Sequence, residues 1–467
     1  MSEELPSGWA EASLSDLIAL DGIFVDGDWV ESKDQDPQGE VRLVQLADVG
    51  DGVFRDRSDR SLTAEKSIQL RCTHLNTGDI LVARMPEPLG RACIYPGSER
   101  SAVTVVDVCI IRPGAKSVDP RWLMWSLNAP SVREQIAAYQ SGTTRKRISR
   151  KNLEKIQLRI PPLAEQRRIV EVIEDHLSRL DAADIYVASA RKSTSSFDNA
   201  RRMELLEPWL SSTRKLGTLL ASPLINGRSV PTDDDGFPVL RLTAIRERVV
   251  DLSARKGGAW RKDDATPFLV NQGDFMVSRG SGSLHLVARG ALVIDDPDPV
   301  AFPDTMIRVR PDLRTINPEY LAFVWDSPTV RRQIESLART TAGIYKVNQS
   351  ILESLDIPVP PLKVQGKIVE AAFDHFAGIN RLASAMEKAT RRSQNLRRAM
   401  LAEAFAGKLV TQDPSDEPAL ELLKRLKVER EIQPNATRSR RRLATTRPAP
   451  PRQTTYVSAG IQEELPL

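Results

Sequence analysis

Two short basic segments are the residues of this 467-residue chain best suited to grip an anion. One is Thr143-Thr144-Arg145-Lys146-Arg147, and its counterpart in the second half is Gly343-Ile344-Tyr345-Lys346. Ammonium and guanidinium groups on a short loop suit phosphate contacts, and an arginine there can donate two hydrogen bonds to a guanine edge. A solvated basic turn has the same composition. The candidates in these segments are Thr144, Arg145, Lys146 and Arg147, then Tyr345 and Lys346. Arg84 and Arg279 form a second pair. Each follows an apolar run and precedes a loop, residues 85–90 in one case and Gly280-Ser281-Gly282-Ser283 in the other. An arginine beside a rigid strand is well placed to read a base, with Ser281 as a polar neighbour. The alternative is an arginine that satisfies a structural carboxylate. Arg91, Gln45 and Arg241 are weaker candidates of the same kind.

Other chemistries find less support. Asn317-Pro318-Glu319-Tyr320 resembles the Asn-Pro-Pro-Tyr motif of adenine methyltransferases, which holds a flipped base. Glu319 replaces the second proline, and the aligned segment of the first half is Asp119-Pro120-Arg121-Trp122, so a repeated helix N-cap explains both better. Cys72, Cys93 and Cys109 fit no zinc spacing and read as reduced core thiols. His176 and His375 recur, each after an aspartate, without the converging ligands a metal needs; a partly exposed contact between helices or subunits is expected. Gly280-Ser281-Gly282 is not a nucleotide loop, and Gly407-Lys408 lacks the preceding P-loop spacing. Glu31-Ser32-Lys33 has no convincing upstream Asp partner, and no coherent nuclease carboxylate cluster is found. Net charge is +4, from 66 basic and 62 acidic residues, which neither requires nor excludes nucleic acid. The first nine residues include Glu3 and Glu4 and no apolar run, and no stretch approaches the ~18 apolar residues of a membrane span. The expectation is a cytoplasmic protein.

The elements that position these residues occur twice. Pro161-Pro162-Leu163 recurs as Pro360-Pro361-Leu362, Gln166 as Gln365, and Ile169-Val170-Glu171 as Ile368-Val369-Glu370, all at one offset of 199. Upstream, Gly78-Asp79-Ile80 recurs as Gly273-Asp274-Phe275 with a drift of a few residues. Such self-similarity means two copies of one unit. After each proline pair an apolar stripe begins: Ile169, Ile173, Leu177 and Leu180, then Ile368, Ala372, Phe376 and Ile379. The spacing predicts long amphipathic helices near 163–206 and 362–405, each roughly 65 Å long. A lone helix of that length exposes its stripe, so the two copies are expected to pack antiparallel on one another.

The rest reads as α/β (α+β). Strands are predicted at 41–46, 80–83, 103–111, 239–242, 275–278 and 306–309, and helices at 120–139 and 318–337. A charged helix is predicted at 417–432. Residues 433–453 hold six Arg, four Pro and no acid, a composition that favours disorder. The expected organisation is a first globular domain at 1–160, a helical spacer at 161–210, a second domain at 211–359, a second spacer at 360–410, and a charged helix with a basic tail at 411–467.

Taken in order, these features resemble the specificity subunit of type I restriction–modification systems. The resemblance is carried by Leu5-Pro6-Ser7-Gly8-Trp9, the Gly-Asp-hydrophobic segments, Ile160-Pro161-Pro162-Leu163, Ile357-Pro358-Val359-Pro360-Pro361-Leu362, Glu165-Gln166 and the late 401–409 segment. It covers about residues 5–410. Lys363-Val364, where the first copy has Ala164-Glu165, departs from the pattern. The resemblance implies two target recognition domains, each reading half of a bipartite asymmetric site in double-stranded DNA, held apart by two antiparallel coiled-coil helices. It implies two modification subunits that methylate adenine with S-adenosylmethionine, and two restriction subunits using ATP and magnesium. The chain itself is then non-catalytic, without cofactor or metal. A related bifunctional restriction enzyme could use such a reader, and a protein-only coiled-coil scaffold is the third reading. The outward helix faces and the 417–432 segment are expected to dock the modification subunits.

Overall fold

The computed structural model describes residues 4–86, 88–142, 146–245, 248–341 and 343–432. It is a mixed α/β chain with two compact units, one formed by Met1–Asp184 with Arg391–Leu467, the other by Ile185–Thr390. The long helices Leu163–Leu206 and Leu362–Phe405 have the predicted bounds, and each is divided between the two units. The basic tail after residue 432 lies outside the described residues.

Each unit is built on the same four-stranded antiparallel sheet. In the first the order is Ile23–Asp26, Val108–Arg112, Ile80–Ala83, Ala92–Ile94. In the second it is Ile225–Asn226, Met306–Val309, Phe275–Ser278, Gly290–Leu292. The central strands Ile80–Ala83 and Phe275–Ser278 are wholly buried, which is why they read as unbroken apolar runs. The Gly-Asp pair that precedes each has a structural explanation. Gly78 and Gly273 take positive φ of 91° and 84°, a turn that strains any L side chain. The buried aspartates that follow each bind an arginine through two oxygens: Asp79 and Arg112 at 2.6 and 2.7 Å, Asp274 and Arg310 at 2.7 and 2.7 Å.

Three predicted elements are divided by local chemistry. The predicted strand 103–111 becomes Ala102–Thr104 and Val108–Arg112, separated by a turn. The predicted helices 120–139 and 318–337 each break at an internal proline, into Pro120–Asn128 with Pro130–Ala138, and Pro318–Trp325 with Pro328–Leu337. Proline lacks the N–H and forces the preceding residue out of the helical region, as Ala129 (ψ 145°) and Ser327 (ψ 148°) show. The strand predicted at 239–242 starts earlier, as Thr232–Leu240, and gives way to a 3-10 turn at Leu242–Ala244.

The apolar stripes pack against more than the facing helix. Ile169, Ile173 and Leu177 are buried in the first unit's core with Trp122 and Leu127, and Leu180 packs at its edge. Ile368 and Ala372 are buried in the second unit's core with Tyr320 and Val324, and Phe376 packs against it; Ile379 is half-buried. The stripe therefore joins each helix to its own globular part, in a core that in the first unit also holds Ala404 and Phe405 of the second long helix and in the second unit Leu206 of the first. Helix-to-helix contacts follow along the chain. In the first unit Arg397 donates to Asp184 at 2.8 Å, and beyond the helix end Arg168 reaches Asp416 at 2.6 Å, an antiparallel sequence of contacts. In the second unit Arg191 meets Thr390 at 3.5 Å and His375 meets Asp198 at 3.3 Å, again antiparallel. His375 is thus an interhelical contact, whereas His176 is exposed.

The charged helix is Ala419–Ile432. Its Ala419, Leu422 and Leu426 are buried in the first unit's core, so this face is occupied and cannot dock another subunit. Gly407 takes positive φ of 74° just past Phe405 and ends the second long helix.

Candidate nucleic-acid interface

The two basic segments chosen from the sequence hold the same place in their units. Ile148 and Val347 donate their backbone N–H to the carbonyls of Arg84 and Arg279, at 3.1 and 3.0 Å. The arginine loop and the basic segment are therefore adjacent in each unit, although about sixty residues separate them in sequence. In the second unit they form one small sheet: Gly280–Ser281 pairs with Ile344–Lys346, which pairs with Arg339–Thr341. Ser281 faces Tyr345, and both Gly280 and Arg339 face Lys346 in the ladders. Arg339 and Lys346 are exposed, and Tyr345 is half-buried against the core. This hairpin offers ammonium, guanidinium, hydroxyl and phenol groups on one short framework, a mixture that suits phosphates and base edges together.

In the first unit the corresponding pairing among the described residues is the bridge of Ser141 with Arg147. Lys146 and Arg147 are exposed. Thr144 and Arg145 lie outside the described residues. Arg147 borders an open cleft of about 1060 Å³, whose walls also carry Trp29, Glu31, Gln45 and Asp107. Such a set of donors and acceptors is suited to reading base edges. Trp29 is exposed, and its indole N–H donates to Glu31 at 3.1 Å.

Two of the chosen arginines are engaged inside the domain. Arg84 donates to Asp26 Oδ1 at 2.7 Å, to the Val106 carbonyl at 3.1 Å and to the Ile148 carbonyl at 3.0 Å. Arg91 is 5% exposed and donates to the carbonyls of Val49, Leu46, Pro88 and Met85. Burial pulls its pKa down. Both side chains thus spend their donors on the protein's own groups, Arg84 on a carboxylate and two carbonyls and Arg91 on four carbonyls. Their sequence context does not reveal it, because Arg279 follows an equally buried strand. Gln45 and Arg241 each precede a 3-10 turn, and Arg241 is exposed.

The methyltransferase-like tetrapeptides are caps. Asp119 accepts from the N–H groups of Arg121 and Trp122, and Asn317 from those of Glu319 and Tyr320. Tyr320 is fully buried, its hydroxyl donates to the Pro358 carbonyl at 2.9 Å, and burial raises its pKa. It presents no ring to a base.

Residues passed over at the sequence level complete the framework. Arg339 lies just beyond the helix predicted at 318–337. Gln166 and Gln365 repeat, but repetition alone does not state a role; the structure shows each buried amide tying the long helix to a domain cap. Glu165 accounts for the difference between the junctions. It is buried, accepts from the Trp9 indole at 3.1 Å and from Gln412 at 3.3 Å, and burial raises its pKa. Cys93, Cys109 and Cys72 are free thiols, and burial pushes Cys93 up to about 12. Among the described residues no group of three or more His, Cys, Asp or Glu could hold a metal ion, and no helix is long and apolar enough to cross a membrane.

The sequence matches the family described as type I restriction modification DNA specificity domain over residues 6–185 and again over 233–387. The type I restriction enzyme EcoKI specificity subunit of Escherichia coli (strain K12) is 26% identical over 321 residues, covering 64% of this chain and 69% of that one. The StySPI specificity subunit of Salmonella potsdam is 24% identical over 469 residues, covering 94% of this chain and 99% of that one. A solved structure on complex assembly and conformational transition of the type I R-M system contains a chain similar in fold, with TM-score 0.61 at 19% identity, covering 87% of this chain and 100% of that one.

Proposed function

The chain belongs to the type I restriction modification DNA specificity family, and from that premise we propose that it reads a split, asymmetric DNA site through two different hairpins. It is a specificity subunit, a non-catalytic component whose task is DNA sequence recognition. The observation that carries the finer reading is the duplicated placement of basic residues: Arg147 in one unit and Lys346 in the other, each in a β-pairing just before the residue whose N–H meets the carbonyl of a strand-end arginine. The two hairpins differ in nearly every side chain, so the two half-sites differ in sequence. The long helices set the distance between the half-sites, as expected for readers that address neighbouring turns of DNA.

Two modification subunits complete the methyltransferase and carry S-adenosylmethionine; two restriction subunits add ATP- and magnesium-dependent translocation and cleavage. Their binding surface on this chain lies on the long helices, whose Tyr186, Phe373 and Leu382 are exposed. The place of action is the cytoplasm, where the DNA is.

The experiment is co-expression of the full chain with its modification subunit, followed by mapping of methylated adenines across the host genome. A two-part motif with a fixed gap is the expected result. A continuous or palindromic motif would overturn the split-site reading, and methyl transfer by the purified chain alone would overturn the non-catalytic one.

A further inference from the structure

The strand-end arginines of the two units are equivalent in backbone and opposite in engagement. Arg84 and Arg279 donate their N–H groups to the carbonyls of Asp107 and Thr305, at 2.9 and 2.8 Å. Gly27 and Gly227 donate to Val108 and Met306, at 2.8 and 3.1 Å. In the ladders Asp26 faces Cys109, and Asn226 faces Ile307, one step before those glycines. Asn226 therefore stands where the first unit has Asp26.

Around Asp26 the first unit gathers two guanidinium groups, Arg84 at 2.7 Å and Arg150 at 3.4 Å. Arg150 also donates to the Phe24 carbonyl at 3.2 Å. The second unit has Gln349 in its place, and this amide donates to the equivalent carbonyl, that of Leu224, at 2.7 Å. The carboxylate and one arginine are thus both missing from the second unit, and Arg279 is what remains. Asn226 Oδ1 is buried and accepts no hydrogen bond from any described residue. A guanidinium lying as Arg84 lies would donate to it. Among the described residues the Arg279 side chain makes no hydrogen bond or ion pair, and it lies next to Gly280–Ser281, strand partner of Tyr345 and Lys346.

We infer that the side chain at the Asp26/Asn226 position decides whether the strand-end arginine is held inside the domain or offered to DNA, so that Arg279 is a specificity-determining residue of the second reader and Asn226 its positioning residue. The inference rests on the DNA-reading function proposed above. An amide cannot hold a guanidinium as an ionised carboxylate does, because it supplies one neutral acceptor instead of two charged ones. The freed guanidinium can then donate to a guanine edge or a phosphate.

The test uses the full chain in complex with its modification subunit, with the methylated motif mapped in cells. Affinity of the purified complex is measured on a duplex carrying the wild-type motif. Arg279→Ala and Asn226→Asp should each weaken binding by about tenfold or more, or relax base choice in one half-site only. Asn226→Asp is nearly isosteric and should melt no lower than wild type, so lost recognition in that variant is not lost folding. Arg84→Ala should lower the melting temperature and leave the motif intact. Wild-type affinity and an unchanged motif in Arg279→Ala would overturn the inference. A normal Asn226→Asp beside an impaired Arg279→Ala would overturn the positioning role. A wild-type complex that yields no motif would overturn the DNA-reading premise and the inference with it.

Discussion

The side-chain oxygen of Gln166 accepts the backbone N–H of Asp119 at 2.9 Å, while its amide donates to the Pro161 carbonyl at 3.0 Å. Gln365 repeats this on Asn317 and Pro360, both at 2.8 Å. One buried amide therefore joins the first turn of a long helix, the proline junction before it and the cap of a domain helix. Both glutamines are fully buried, so the bonds are not exchanged with water.

Replacing Gln166 with Leu would strand a buried N–H and a buried carbonyl. At about 1–3 kcal/mol for each unsatisfied group, the loss should be roughly 2–6 kcal/mol. Urea unfolding of Gln166→Leu and Gln365→Leu checks this. A change below about 1 kcal/mol in both would mean the clamp is dispensable.

Glu165 gives the first unit a pH dependence. Burial raises its carboxyl pKa above the ordinary 4.5, so the folded state holds the proton more tightly than the unfolded chain. The associated stability is fully present below 4.5 and is lost as pH rises through the folded value. Glu165→Gln retains an acceptor for the Trp9 indole and removes the buried charge. It should unfold at higher denaturant than wild type at pH 8, with the difference shrinking at pH 4, below the ordinary carboxyl value. Equal midpoints at both pH values would show that this carboxyl is not the source.

The hairpins should act on separate half-sites. Arg339→Ala with Lys346→Ala should lower the slope of log affinity against log salt by about 0.9 for each phosphate no longer neutralised. Arg147→Ala should impair the other half-site alone. Binding titrations from low to moderate salt, on duplexes altered in one half-site at a time, separate the two. Equal damage to both half-sites from either variant would place these residues away from the DNA.

The long helices act as a ruler in the proposed function. Four residues inserted in both, within 185–200 and 375–390, add about 6 Å, close to two base-pair steps at ~3.4 Å each. The methylated motif should keep its half-sites and gain a longer gap. An unchanged gap with retained activity would show that the spacer is set elsewhere.

The features legible in the sequence are those encoded within a few residues of one another. The duplication, the proline junctions, the 44-residue helices and the Asx caps all follow from local spacing and backbone preference. The stripe of Ile169, Ile173 and Leu177 is equally legible as a helix face. What it packs against is not, because period alone does not distinguish a facing helix from a domain core. The proline breaks at Pro130 and Pro328 were available in the sequence, and there local sterics override the apolar period.

The candidate site divides in the same way. Residue type and recurrence single out Arg84, Arg279, Arg147 and Lys346 without separating them. Only the tertiary structure distinguishes Arg84 from Arg279, because the deciding neighbour, Asp26, lies 58 residues away and arrives through ladder register. Arg91 turns inward for the same kind of reason, its carbonyl acceptors at Leu46 and Val49 being brought near by the fold. The sequence by itself determined which elements form and that they form twice. Packing decided which charges are consumed within the protein and which remain for a partner, because a buried guanidinium must find its acceptors wherever the chain brings them.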